Sequence, residues 1–432
     1  MLRVPTKETE LAYYTGVISD SLLSEITQTA ERLRGCRIVH VNATPAGGGV
    51  AEILQSLVPL MCNVGIDAEW YVIEPDADFF RVSKTLHHCL QGDGRNLSPE
   101  DIEIYLEHNR KSACTAKAMG LAADLWLIHD AQVLPLIRYL NSSPGVWVCH
   151  VDTTRPNETV REILHPYMCD YRMLVASMPE YLPAGNNSCR TVVFPPAIDP
   201  FIPKHRPLDF CQARKVLARL GLDPDRPIVS QVSRFDRWKD PWGVIDAYHI
   251  ARKEITGLQL ALVGAMTAGD DPDACEVLAD VQQYSGSDPD IHLFSDPFVI
   301  GDLEVNAFQS GSDVIIQKST REGFGLTVAE AMWKRTPVIG GNCGGIRLQI
   351  RNGETGFLVD DTPSCAQTMV TLLQDRKLAR KIGEAGRESV RQNYLMPRLL
   401  RDYLHLVLNA VDGRGPAAHP QPETTATVFS NN

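Results

Sequence analysis

Twelve short runs of apolar and β-branched residues, six on either side of a proline-rich stretch, limit what this chain can fold into. The first series reads "RIVHVNA", "AEWYVIE", "DLWLIHD", "GVWVCHVD", "RMLVAS" and "TVVFPP". The second reads "PIVSQVS", "LQLALVG", "IHLFS", "DVIIQKS", "TPVIGG" and "GFLVDD". Their hydrophobicity is continuous rather than alternating, which predicts strands buried on both faces and hence parallel sheets covered by helices. Helical patterns lie between the runs, so the expected class is α/β, with two doubly wound, Rossmann-like domains. The break falls in "FPPAIDPFIPKHRPLD", residues 194–209, whose five prolines continue neither a helix nor a central strand and stiffen a linker. This divides the 432 residues, too many for one compact core, into domains at 1–196 and 197–396. Apolar residues three or four apart in "PRLLRDYLHLVLNAV" predict a further helix over 397–412, able to cross back to the first domain. Residues 413–432, rich in Gly, Pro, Thr and Asn, are expected to form a flexible tail.

Charge and cysteine usage narrow the function classes. With 42 basic and 53 acidic residues, the net charge is −11. Such a surface repels phosphate backbones, so nucleic acid is not an expected partner, although a local basic pocket can still hold a phosphate. The 11 cysteines form no CxxC pair and no zinc-type spacing, which points to a reducing cytoplasm. The N-terminal residues lack the apolar core of a signal peptide, and no run reaches the ~20 apolar residues of a membrane span. No membrane association is expected. An acidic turn, "AGDDPD" (residues 268–273), contains a proline and is read as a turn, with no structural metal expected.

Ligands of open parallel sheets bind beyond the carboxyl ends of the strands, so the chemistry belongs in the strand-end loops. "STREGFGLTVAEAMWK", residues 319–334, follows one such strand and opens a helix. Amides near Gly323, Phe324, Gly325 and Leu326 would face a phosphate or sugar at the helix N-terminus, and the glycines permit close approach. Glu322 and Glu330 are spaced to touch opposite ends of an elongated ligand. Spacing alone slightly favours the ordinary reading, in which Glu322 complements the helix dipole and Glu330 pairs with Lys334 at i,i+4.

Three other loops follow strands. "SRFDRWKD" supplies Arg234, Arg237 and Lys239, cations suited to an anionic leaving group or to a solvated turn. "ATPAGGGVAEIL", with Gly48, Gly49 and Glu52, is neither a dinucleotide fingerprint nor a Walker loop, and it either admits a sugar or forms a plain turn. "LIHDAQ" and "VCHVDTT" offer His129, Asp130, Gln132, His150 and Asp152, hydrogen-bonding groups for sugar hydroxyls or satisfied core residues. Nothing resembles a serine triad or a zinc site.

Taken together, these segments resemble a retaining glycosyltransferase of the GT-B fold: "EGFGLTVAE" is similar to the Glu-x7-Glu motif, "SRFDRWK" to the diphosphate clamp and "NGETGFLV" to a late segment of that superfamily. Within it, "VNATPAGGGVAEIL", "FFRVSKTLHHCLQG", "LIHDAQ", "CHVD" and "PPAIDP" most resemble the trehalose glycosyltransferring synthases. The resemblance runs from about Arg37 to the last helix. It implies two domains facing each other across a deep cleft. The implied reaction moves glucose from a nucleoside-diphosphate glucose, ADP- or UDP-glucose, onto free glucose to give α,α-trehalose, with reversibility allowed. Trehalose phosphorylase chemistry is the alternative.

The same resemblance implies the site. Glu330 would bind the nucleotide ribose, and Glu322 with the amides of Gly323, Phe324, Gly325 and Leu326 would hold the donor glucose. Arg234 and Lys239 would stabilise the departing diphosphate. His150 would lie against the transferred sugar, while Gly48, Gly49, Glu52, Asp130 and Asp152 would line the acceptor pocket. No tightly bound cofactor and no essential divalent metal are implied. The implied partners are the nucleotide sugar, glucose and trehalose, and a homodimer is compatible with them. Two departures stand out: Arg237 and Asp240 occupy positions where proline and glycine are expected.

Overall fold

The computed structural model describes residues 1–140, 144–182, 189–264 and 272–412. The tail at 413–432 and most of the "AGDDPD" turn lie outside the described residues. All twelve apolar runs form strands. In the first half these are β2 (Arg37–Asn42), β3 (Asp67–Val72), β4 (Leu125–His129), β5 (Gly145–Cys149), β6 (Met173–Ala176) and β7 (Arg190–Val193). A two-residue β1, Leu2–Arg3, pairs antiparallel with β3 at the edge. The second half holds β8 (Ile228–Val232), β9 (Gln259–Val263), β10 (Ile291–Phe294), β11 (Val314–Gln317), β12 (Val338–Gly341) and β13 (Phe357–Val359).

The first sheet runs β1-β3-β2-β4-β5-β6-β7 and the second β10-β9-β8-β11-β12-β13. Every pairing except β1 with β3 is parallel. Strands β4, β5, β8 and β9 are buried along their whole length, as their unbroken hydrophobicity requires. Each sheet reverses its strand order once, between β2 and β4 and between β8 and β11. Those switch points open crevices at the strand carboxyl ends, and the singled-out loops leave from them, except the His150 loop, which follows the neighbouring β5.

The chain passes between the halves twice, side by side. Ile198 N donates to the Tyr394 carbonyl at 2.9 Å, and Met396 N donates to the Ile198 carbonyl at 2.9 Å. The last helix, Met396–Asp412, then lies on the first half, where Tyr403 meets Phe194 edge-on and His405 contacts Glu25 at 2.9 Å. Arg398 fastens the crossing by donating to the carbonyls of Pro195 and Pro196, each at 2.8 Å. No helix among the described residues is long and apolar enough to cross a membrane.

The entry to β11 carries a buried charge pair. Asp313 accepts from Arg214 Nη2 at 2.6 Å and from Ile228 N at 2.9 Å, so it ties the β8 and β11 starts together. Removing one partner of such a pair leaves the other desolvated without compensation. Asp313→Ala is therefore expected to lower stability by about 3–5 kcal/mol, measurable as a drop in the urea midpoint; an unchanged midpoint would contradict this role.

Candidate active site

The second-half switch point brings two separated loops onto one another. Lys239, after β8, donates to Glu322 Oε2 at 2.5 Å, and Ser319 donates to the same oxygen at 3.2 Å. Glu322 is thus a buried carboxylate held by a cation, not a surface group serving the helix dipole. The helix Leu326–Trp333 starts directly behind it. Its first-turn amides have no carbonyl four residues back within the helix, which makes this end receptive to negative charge. Gly325 has φ +83°, and a Cβ there would lie 3.1 Å from Glu322 Cγ, so a side chain would both strain the turn and press on the acid.

Arg234 does not join Lys239 on Glu322. It is exposed, with Nη2 3.6 Å from Asp236 Oδ2. Burial first, and Arg234 next, push His87 of the first half down to about 3. Asp240 explains one departure from the resemblance: its φ of +50° and ψ of +54° are left-handed, where glycine is the usual occupant. Its carboxylate compensates by capping Gly243 N at 3.1 Å and pairing with Lys318.

The first half reaches the same place. A Cβ on Gly323 would sit 2.2 Å from the His150 carbonyl oxygen, so the two loops touch at a point with no room for a side chain. Tyr181 OH donates to the Glu322 carbonyl at 2.8 Å, a second contact across the halves. A Cβ on Gly49 would be 3.0 Å from Leu326 Cδ1, which sets the glycine loop against the start of the Leu326–Trp333 helix; a Cβ on Gly48 would meet nothing within 4 Å.

Two of the residues read as acceptor ligands have internal duties. Asp130 Oδ1 accepts from His150 N at 2.7 Å, while its carbonyl accepts from Trp147 Nε1 at 2.9 Å. Its φ of +63° and ψ of 177° fall in a region that side chains rarely occupy, so these bonds hold a strained backbone in place. Burial raises the Asp130 carboxyl, and His150 opposes that rise. Asp152 Oδ1 accepts from Thr154 N at 3.0 Å and Thr154 Oγ1 at 2.7 Å, closing its own turn.

His150 ends a row of three imidazoles on adjacent strands: His40 Nδ1 lies 3.0 Å from His129 Nε2, and His129 Nδ1 lies 3.1 Å from His150 Nε2. Burial lowers all three, His40 to about 3, so they are neutral near pH 7.

Glu330 and Glu52 meet at a charge cluster absent from the motif reading. Lys204 Nζ lies 2.8 Å from Glu52 Oε2 and 2.9 Å from Glu330 Oε1. His205 Nε2 is 3.0 Å from Glu52 and 3.4 Å from Glu330, and its Nδ1 donates to the Asp199 carbonyl at 2.8 Å. Gln309 Nε2 donates to Glu330 Oε2 at 2.6 Å. Burial would raise the Glu330 carboxyl, but Lys204 and His205 hold it well below the usual carboxylate range. The i,i+4 pairing of Glu330 with Lys334 is corrected: Lys334 donates to the Lys204 carbonyl at 2.7 Å and to Gln309 Oε1. Burial brings Lys334 down to about 7.

Among the described residues, Glu52, His205 and Glu330 form the grouping with metal-ligand spacing. The Lys204 ammonium already lies between the two carboxylates and supplies the charge that a cation would. Lys204 and His205 went unnoticed in the sequence because they sit in the stretch whose prolines read as a linker. Their one signal is a basic pair, "KH", between Pro203 and Pro207.

Two Rossmann-like sheets meeting through their strand-end loops give the GT-B fold, and the match of the second half to a glycosyl transferase family makes the chain a glycosyltransferase. Sucrose-phosphate synthase from Thermosynechococcus elongatus shares this fold, with a TM-score of 0.67 at 20% identity over 88% of this chain and 99% of that one. Residues 40–183 match the family "Trehalose synthase, N-terminal domain", and residues 213–389 match "Glycosyl transferases group 1". The chain belongs to the trehalose synthase family. A trehalose synthase of Rubrobacter xylanophilus is 45% identical over 94% of this chain and 98% of that protein. A trehalose phosphorylase of Pleurotus pulmonarius is 27% identical over 88% of this chain and 58% of that protein.

The cluster makes a prediction of its own. Lys204→Met leaves the buried Glu330 and the partly exposed Glu52 without their shared ammonium and is expected to cost about 3 kcal/mol. Adding Glu330→Gln should recover part of that loss in urea unfolding. Strictly additive losses would show that the two residues do not share an interaction.

Proposed function

We propose that this glycosyltransferase moves glucose from a nucleoside-diphosphate glucose to free glucose, forming α,α-trehalose with retention at the donor carbon. The observation that carries the reading is the Lys239–Glu322 contact beneath a helix N-terminus, pressed against the His150 loop of the other half. Membership of the trehalose synthase family supports the same choice of product. In this reading Lys239 faces the diphosphate as a point charge, and Arg234 joins it from the outer edge of the cleft. Both act on charge that grows as the glycosidic bond breaks. Glu322 and the amides of Gly323 to Leu326 take the hydroxyls of the donor glucose.

The departing phosphate oxygen takes the proton of the attacking hydroxyl on the same face of the sugar, so no protein nucleophile is needed. No metal ion is assigned a role, because Lys239 and Arg234 carry the opposing charge. Glu330 receives the ribose only when Lys204 yields Oε1, since both carboxylate oxygens are engaged and the side chain is fully buried. Donor binding and rearrangement of the Lys204 cluster are then one event. Asp130 acts on the acceptor side through the His150 backbone it holds.

The test is product formation from glucose with ADP-glucose, UDP-glucose or α-glucose 1-phosphate. Trehalose is expected with a nucleotide sugar; trehalose from the sugar phosphate alone would replace the synthase with a phosphorylase. Lys239→Ala and Glu322→Ala are each expected to lower kcat at least about tenfold, ~1.4 kcal/mol in the barrier. Near-normal rates in both variants would remove the site assignment.

A further inference from the structure

Three neutral, buried imidazoles in a row pose a question of proton placement. His40, His129 and His150 come from β2, β4 and the end of β5, neighbouring strands of one parallel sheet. Strand spacing sets the rings edge to edge and nearly coplanar, with centroids 5.3 and 5.4 Å apart and planes 14° and 20° from parallel, so that each ring N–H can point at the next ring's nitrogen. Each contact joins Nδ1 of one ring to Nε2 of the next.

A neutral imidazole has one donor nitrogen and one acceptor nitrogen. Two hydrogen bonds therefore leave two arrangements, with every proton pointing along the row in one direction or in the other. The far end decides between them. Among the described residues, His40 Nε2 is buried with no hydrogen-bond partner. A proton there would be a buried N–H without an acceptor, the outcome that folded proteins avoid most strictly. The proton of His40 accordingly sits on Nδ1 and is donated to His129 Nε2. His129 then carries its proton on Nδ1 and donates it to His150 Nε2. His150 is left with its proton on Nδ1, the ring nitrogen outside the row.

We propose that His40 and His129 are positioning residues that lock His150 into the Nδ1–H tautomer, so that His150 meets the sugar as a hydrogen-bond donor rather than as a base. The sugar contact is the one the family resemblance implies for His150 and rests on the proposed function, whereas the tautomer does not. The assignment agrees with chemistry in which the leaving phosphate, not a side chain, takes the acceptor's proton. The backbone of His150 is fixed separately, by Asp130 at its amide and by the close approach of Gly323 at its carbonyl. The row thus governs the ring's proton while other contacts govern its place.

The experiment is long-range 15N–1H correlation on protein labelled at its 12 histidines, with His150 assigned from the His150→Asn spectrum. Wild-type His150 is expected to show a protonated Nδ1 and a bare Nε2. His129→Phe keeps a ring in place but removes the donor, and His150 should then average between tautomers. Its kcat should fall about tenfold, with a much smaller change in KM for the sugar donor. His129→Asn, whose amide N–H stands where Nδ1–H stood, should restore both readouts. His40→Phe tests the row from its far end and serves if His129→Phe does not fold. A protonated Nε2 on wild-type His150 overturns the proposal, as does a His150 signal unchanged in both phenylalanine variants. Averaged tautomers with unaltered kcat in those variants overturn the positioning role. The spectra need no substrate, so a wild-type protein that makes no trehalose overturns the functional reading alone.

Discussion

One ammonium group holds three parts of the molecule together. Lys204 lies in the segment between the sheets, yet its Nζ bridges Glu52 of the first half and Glu330 of the second. Withdrawing a lysine from water is unfavourable unless its charge is matched, and two carboxylates match the half-buried Lys204. Burial would lower the His205 imidazole, but Glu330 and Glu52 raise it above its ordinary range. The carboxylate from the most recognisable motif in the chain is thereby committed to the joint between the halves.

This joint changes how the paired acids of the "EGFGLTVAE" segment are understood. Glu322 answers to Lys239 within its own half, whereas Glu330 answers to the linker and, through it, to the other half. A ligand that reaches the first acid disturbs one local pair. Reaching the second disturbs a network that also fixes Gln309, Lys334 and Glu52. In the proposed function, donor binding and the contact between the halves therefore draw on the same charges.

The fold was legible because burial on both faces leaves a direct trace, an unbroken apolar run. Strand β1 left none: two residues pairing antiparallel at an edge are too few to form a pattern. The Lys239 loop and the Glu322 loop were legible as strand-end candidates, since parallel sheets restrict where ligands bind. Lys204 and His205 were not. Their burial depends on partners 126 and 152 positions away for Lys204, and local composition carries no record of such distances. Helical spacing correctly made Glu330 and Lys334 neighbours, but tertiary partners outcompeted that pairing. The strained backbone of Asp130 and its bond to His150 N are likewise tertiary facts with no trace in local sequence.

One close approach between the halves depends on an atom that is not there. Between Gly323 and the His150 carbonyl the two halves close until a Cβ would be only 2.2 Å away, where ordinary contact begins at 3.4 Å. A single methyl group would act as a shim, holding the switch points apart by roughly an ångström. Alignment of reacting groups is decided on that scale. The hydrogen on Gly323 is therefore a gauge for the whole molecule: it sets how near one sheet's chemistry is allowed to come to the other's.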